Sequence, residues 1–174
     1  MECGVERHRR RIVRLKGYDY SRPGAYYVTV CTHLRSCLLG EVAEDEMRLN
    51  DYGHIVRTCW SDLPSHHAHL RLDAFVIMPN HIHGVFVLVE DQGSNGTTVG
   101  AKRHGLPEIV RAFKTFSSRR INERRGTPGT RVWQRSYYER VVRSEHELNR
   151  IRQYIVDNPS RWSDDQYHPS RAAI

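Results

Sequence analysis

"FVIMPNHIHGVFVLVE", residues 75–90, sets two histidines one residue apart in a stretch otherwise made largely of apolar side chains. β-Branched and aromatic residues on either side of Pro79-Asn80 mark two strands joined by a short turn. Alternate side chains of a strand share a face, so His81 and His83 point the same way, about 6.6 Å apart along the chain. Val85, Val87 and Val89 follow on that face, and Ile82, Phe86 and Leu88 lie on the other. A strand apolar on both faces belongs inside a sheet that is covered on both sides. Two imidazoles at its start could converge on one divalent metal, although two partly buried histidines with local hydrogen bonds are the commoner use of such a pattern. Gly84 beside them removes a side chain and lets a ligand or helix approach.

Working outward, "AYYVTVCTH" (25–33) reads as a strand and "CLLGEVAEDEMRL" (37–49) as two short strands around an acidic turn. From Asn50, a suitable N-cap, Tyr52, Val56, Cys59 or Trp60 and Leu63 recur at helical steps, and Pro64 fits the stop. Residues 91–105 form a Gly-rich loop with basic residues at its end. The spacing predicts a helix from about Pro107 to Arg125 that buries Ile109, Val110, Phe113, Phe116 and Ile121. "RVWQRSYYERVVR" (131–143) reads as a strand. Ser144-Glu145-His146-Glu147 is a capping box for a last helix with Leu148, Ile151 and Ile155 as its apolar stripe. The helix ends in "DNPSRW", and the polar chain after Trp162 is expected to fray. The order predicts an α+β fold, a ferredoxin-like central antiparallel sheet with helices packed on it. A basic flexible arm (1–24), a single domain (25–162) and a polar tail (163–174) are the expected units.

The chain has 174 residues, 39% of them hydrophobic, enough for one real core. Its 27 Lys and Arg against 20 Asp and Glu give a net charge of +7, which suits a nucleic-acid partner without requiring one. Four cysteines at irregular spacing (Cys3, Cys31, Cys37, Cys59) argue against a disulfide framework or a cysteine zinc site. No stretch has the ~18 apolar residues of a membrane span, and the basic N-terminus lacks a secretory apolar segment. A soluble cytoplasmic protein with no membrane partner is expected.

The last helix offers further chemistry. Tyr154 and Asn158 are four residues apart and share a helix face beside the Ile151/Ile155 stripe. Pro159 disfavours helical geometry at Asn158, which weakens that alignment at its end. Tyr137, Tyr138, Tyr26 and Tyr27 lie on strands, where aromatic packing is their expected role. His66, His67 and His69 cluster in a loop and read as ordinary loop residues.

"MPNHIHG" followed far downstream by "YIVDNP" resembles the single-tyrosine HUH endonucleases, in particular the REP-associated tyrosine transposases. "YYVTVCTH", the acidic hairpin, "VWQRSYYERVVR" and "IRQYIVDNPSRW" fall in that family's order, so the similarity runs from about Tyr18 to Trp162. It implies that His81 and His83 bind Mg²⁺ or Mn²⁺, that Asn158 completes the metal site and that Tyr154 is the nucleophile. It further implies cleavage of single-stranded DNA, commonly beside a hairpin of palindromic repeats, through a 5′-phosphotyrosine. Related small transposases are dimers that exchange the tyrosine helix, whereas the REP-associated branch looks more monomeric, so a monomer or a homodimer is expected. Imidazole ligands favour Mn²⁺ over Mg²⁺. Under this resemblance Arg111, Lys114, Arg119, Arg120, Arg124 and Arg125 are expected on DNA phosphates, with the arm "RHRRRIVRLK" as a further contact. Trp133 and Trp162 suit base stacking or core packing equally. Two other readings are a hairpin-binding protein without cleavage and a histidine-triad nucleotide hydrolase. The latter needs a third alternating histidine where this chain has Val85.

Overall fold

The β1 strand, Gly24–Cys31, occupies an inner position of a four-stranded sheet with β4 (Leu70–Met78), β5 (His81–Leu88) and β6 (Tyr138–Val142). The strand order is β4-β5-β1-β6, with antiparallel pairing throughout. The structure, a computed structural model, describes residues 15, 17–90 and 104–171. The arm through residue 14 and the Gly-rich loop over 91–103 lie outside them, as does the end of the tail, 172–174.

A hairpin of β2 (Gly40–Ala43) and β3 (Glu46–Leu49) follows β1, then α1 (Asp51–Ser61) and the single turn α2 (Leu63–His66). The helix α3 (Leu106–Arg125) joins β5 to β6, and α4 (Glu145–Asp157) leads into a 3₁₀ segment, Pro159–Asp164. Strand, helix, two strands, helix and strand in this order give the expected ferredoxin-like α+β fold.

Two-sided burial of β5 explains its composition. Ile82, Phe86 and Leu88 join Tyr26, Val28 and Val30 in a core under α1 and α3. Val85 packs with Tyr27, Leu148 and Ile155 under α4 on the opposite face. Gly84 lets the Trp60 indole of α1 close onto the sheet, because a Cβ there would collide with the ring. The indole is sandwiched between Phe75 and Phe86, each 4.3 Å away between ring centres.

The caps behave as read. Asn50 accepts hydrogen bonds from the Tyr52 and Gly53 amides, and Ser144 accepts one from Glu147. The Glu147 carboxylate reaches back to the Arg143 amide, one residue before the cap. Pro64 does not stop α1, which already ends at Ser61; it sits in the first turn of α2, where proline is tolerated.

Three expectations need correction. Phe116 is 50% exposed, because the buried row of α3 runs from Phe113 to Ser117 instead. The Ser117 hydroxyl donates to the Phe113 carbonyl and accepts from Trp133 Nε1 at 2.9 Å, which places Trp133 in the core. The strand predicted over 131–143 is confined to Tyr138–Val142. Upstream, Lys114 draws the Gln134 and Arg135 carbonyls to its ammonium, and only the Thr32–Trp133 bridge pairs. Nor does the chain after Trp162 fray over the described residues. The Asn80 side chain donates to the Tyr167 carbonyl at 2.7 Å, and Arg35 lies 5.0 Å from the Tyr167 ring centre. Among the described residues no helix is long and apolar enough to cross a membrane.

Candidate metal and nucleophile site

His81 and His83 open β5 directly after the Pro79-Asn80 turn, and both are buried. Their Nε2 atoms lie 3.0 Å apart. Donors held about 2.1 Å from an octahedral ion stand about 3.0 Å from their neighbours, so the two rings are posed as adjacent ligands. Each ring is oriented through its other nitrogen. His81 Nδ1 meets Asn80 Oδ1 at 2.8 Å, while Asn80 Nδ2 is committed to the Arg35 and Tyr167 carbonyls. The hydrogen of His81 therefore sits on Nδ1, leaving Nε2 with a free lone pair. His83 Nδ1 lies 2.7 Å from the Tyr27 hydroxyl and 2.8 Å from that of Thr29, its partner across the β1–β5 ladder. Burial pushes His83 down to about 3, and burial with the neighbouring His83 holds His81 well below the ordinary histidine range. Both are thus neutral near pH 7, the form that binds a metal.

The α4 helix brings the other partners. The Tyr154 hydroxyl lies 3.4 Å from His83 Nε2, with the ring centres 5.2 Å apart. Asn158 keeps helical angles (φ −60°, ψ −41°) despite Pro159, so it stays on the Tyr154 face. It is 2% exposed and lies close enough to Tyr154 and Asp165 to lower the pKa of each, yet its Oδ1 is buried without a partner. A buried polar atom left unmatched costs about 1–3 kcal/mol. Burial, and then the charge of Asp165, raise the Tyr154 phenol above its usual range, so it is protonated at neutral pH.

Asp165 is the residue that sequence reasoning missed. It is 7% exposed, its Oδ2 lies 3.9 Å from His81 Nε2, and burial raises its pKa. Ligand atoms of His81, His83 and Asp165 all lie within 4.8 Å of one another, the only such histidine, cysteine or acidic group among the described residues. Its one signal in the sequence is position: it stands between Trp162 and Tyr167, aromatics that mark an otherwise polar stretch as docking somewhere. The Tyr167 ring indeed lies 4.7 Å from His81, and that of Trp162 6.0 Å. Two neutral imidazole nitrogens, a carboxylate and an unpartnered amide oxygen make a donor set that fits Mg²⁺ or Mn²⁺.

The basic residues of α3 lie away from this cluster. Arg119 pairs with Glu123, Arg120 with Asp62 and Arg124 with Asp51, each on the surface. Lys114 is half-buried on the 134–135 carbonyls, and Arg125 Nε reaches Asn122 Oδ1. Arg111 is exposed and lines, with Arg131 and Arg135, a groove between α3 and the segment before β6. His67 and His104 meet Nδ1 to Nδ1 at 3.4 Å, apart from the metal-spaced group.

A family model described as "Transposase IS200 like" matches residues 27–158, from Tyr27 beside His83 to Asn158 at the end of α4. The chain belongs to the IS200-like transposase family. One Haemophilus influenzae protein, itself uncharacterised, is 36% identical over 171 residues, covering 92% of this chain and 94% of its own. A second from that organism, bearing the name REP-associated tyrosine transposase, is 22% identical over 142 residues, covering 81% of this chain and 73% of its own. A solved structure of a REP-associated tyrosine transposase bound to a REP hairpin shares the fold. Its TM-score is 0.56 at 18% identity, over 83% of this chain and 71% of that one. The branch suggested by "MPNHIHG" and "YIVDNP" is therefore supported, and the IS200-like assignment makes this a metal-dependent DNA-cleaving transposase by family.

Proposed function

We propose that this transposase cuts single-stranded DNA beside a hairpin and rejoins it through a phosphotyrosine on Tyr154. The observation that carries the reading is the Tyr154 hydroxyl 3.4 Å from His83 Nε2, at the edge of the His81, His83 and Asp165 cluster. Tyr154 Oη forms a bond to the scissile phosphorus as the bond from phosphorus to the 3′ oxygen breaks. The DNA 5′ phosphate stays on the tyrosine; the phenol proton is released to solvent as Oη attacks, and the departing 3′ oxygen takes up a proton and leaves as a hydroxyl. Attack by another 3′-OH reverses the step, so rejoining needs no ATP.

A bound Mg²⁺ or Mn²⁺ supplies charge neutralisation at the scissile phosphate and eases ionisation of the nearby phenol. His81, His83, Asn158 and Asp165 would hold it, with Asn80, Tyr27 and Thr29 fixing the two rings. The α4 helix aims Tyr154, and the Tyr167 and Trp162 rings shield His81 from water. Tyr154 reaches His83 of the same chain, so one copy can supply the whole site. The hairpin substrate is supported by the solved relative bound to a REP hairpin. Arg111, Lys114, Arg119, Arg120, Arg124 and Arg125 are proposed for phosphate contacts. The exposed ion pairs of Arg119, Arg120 and Arg124 contribute only about 0–1 kcal/mol each, so exchanging those carboxylates for phosphates costs little.

Labelled hairpin DNA with an unpaired flank, incubated with Mn²⁺ and run on a denaturing protein gel, tests this. A label-bearing band of raised mass is expected, absent in Tyr154→Phe although that variant still binds the hairpin within severalfold. An adduct formed by Tyr154→Phe overturns the nucleophile assignment; tight hairpin binding by the native protein with no adduct favours a binder without cleavage.

A further inference from the structure

Beside Tyr154 the molecule carries a cleft of about 530 Å³ that neither the metal cluster nor the basic α3 face uses. Tyr27 and Thr29 of β1 line it together with Tyr138 of β6, Arg150 and Tyr154 of α4, and Gln166 and Tyr167 of the returning tail. Clefts of about 300–1,000 Å³ take small ligands, so this one has room for a single nucleotide unit but not for a duplex.

Two lining residues leave surface open to it. Tyr138 is 50% exposed at the start of the edge strand β6, with its ring edge-on to Tyr27 at 6.2 Å. Arg150 lies one helical turn before Tyr154, is exposed, and has no side-chain partner among the described residues. Its neighbour Arg140 is by contrast held by Glu147 at 2.6 Å. An exposed aromatic ring from β6 and an uncommitted guanidinium from α4, both lining a one-nucleotide cleft, match the two parts of a nucleotide, base and phosphate. A duplex keeps its bases stacked, whereas an unpaired flank can turn one out.

We propose that this cleft receives the unpaired nucleotide next to the scissile phosphate, its base on Tyr138 and its phosphate on Arg150. The assignment deepens the reading of Tyr154 as nucleophile and rests on it for the word scissile. Neither residue touches the reacting atoms; both are positioning residues that bring the phosphorus to the Tyr154 hydroxyl.

The experiment moves a 2-aminopurine base through the unpaired flank of the hairpin oligonucleotide and reads fluorescence on binding to Tyr154→Phe, which cannot cleave. One position is expected to be quenched in a Tyr138-dependent way: quenching persists in Tyr154→Phe/Tyr138→Phe and is lost in Tyr154→Phe/Tyr138→Ala. Arg150→Ala is expected to weaken flank binding about tenfold and to flatten its salt dependence, because one phosphate contact is lost. In the native protein the cut mapped from the covalent adduct should border the quenched position. Absence of any quenched position, or quenching indifferent to Tyr138→Ala, overturns the cleft assignment even where the native protein forms its adduct. Absence of an adduct alongside Tyr138-dependent quenching overturns the cleavage reading and leaves the cleft as a nucleotide site.

Discussion

His83 is gripped from two sides, by β1 hydroxyls on Nδ1 and by the Tyr154 hydroxyl near Nε2. Outer partners of this kind set ring orientation and ligand basicity, and their loss typically costs 10–100-fold in metal affinity. Tyr27→Phe is accordingly expected to raise the Mn²⁺ concentration for half-maximal adduct formation by about 10–100-fold while the rate at saturating Mn²⁺ falls much less. An unchanged Mn²⁺ titration would show that Thr29 alone orients the ring. Gly84→Ala tests packing on the same strand: a methyl group pressed into the Trp60 indole should cost about 1–3 kcal/mol. That corresponds to a loss of roughly 2–10 °C in Tm for a domain of this size, measurable by calorimetry. Strand parity alone made His81 and His83 legible. The partners of His83 were not, because which β1 residue lies across from it is fixed by long-range register, on which a local pattern is silent.

At the scale of elements, α4 is aimed by a contact at the opposite edge of the sheet. A bulge in β4 between Leu72 and Phe75 turns Asp73 toward the helix, where its carboxylate takes a two-pronged bond from Arg152, 2.7 and 2.8 Å long. The hydrogen bond from Arg152, assisted by the Ala74 amide, lowers the Asp73 pKa. A carboxylate lowered on folding stabilises the fold above its unfolded value, near 3.8, and that contribution is lost as the pH falls through the lowered folded value. Asp73→Asn should therefore cost about 1 kcal/mol at pH 7, a figure kept small because Arg152 is partly solvated. The difference from the native protein should begin to narrow only below about pH 3.8 and close below the lowered folded value; a gap in Tm that persists at that acid end would mean the loss is one of packing. The helix itself was legible from its cap and stripe. Asn158 kept its face against the local preference before proline, with its side chain buried beside Tyr154 and Asp165. Phe116 was misread because only one of the two adjacent residues a turn after Phe113 can follow the buried row, and Ser117 does, accepting the Trp133 indole hydrogen.

For the whole molecule, the proposed ligands come from two distant parts of the chain: 81–83 and 158–165. An ion bound only by the folded state adds stability by mass action, about 2.7 kcal/mol at one hundred times Kd. Saturating Mn²⁺ is expected to raise Tm by about 5–10 °C over the same protein in a chelator, and His81→Ala/His83→Ala to abolish the shift. A shift retained by that double variant would move the ion elsewhere. Legibility at this scale stopped at Trp162. Polar composition predicts a loose end, whereas a few specific bonds to Asn80 and Arg35 hold the segment through Tyr167. Such tertiary contacts leave no periodic trace.

The inner place of β1 also has a consequence for synthesis. Its residues leave the ribosome well before those of its two neighbours, β5, starting at His81, and β6, ending at Val142. At about 5–20 residues per second the strand waits on the order of ten seconds for its last partner. Throughout that interval an apolar ribbon, "YYVTVC", has a free hydrogen-bonding edge, open to pairing with other nascent chains. Substitutions that slow the docking of β6 should thus appear first as lost soluble yield, before any change in the chemistry of the protein that does fold.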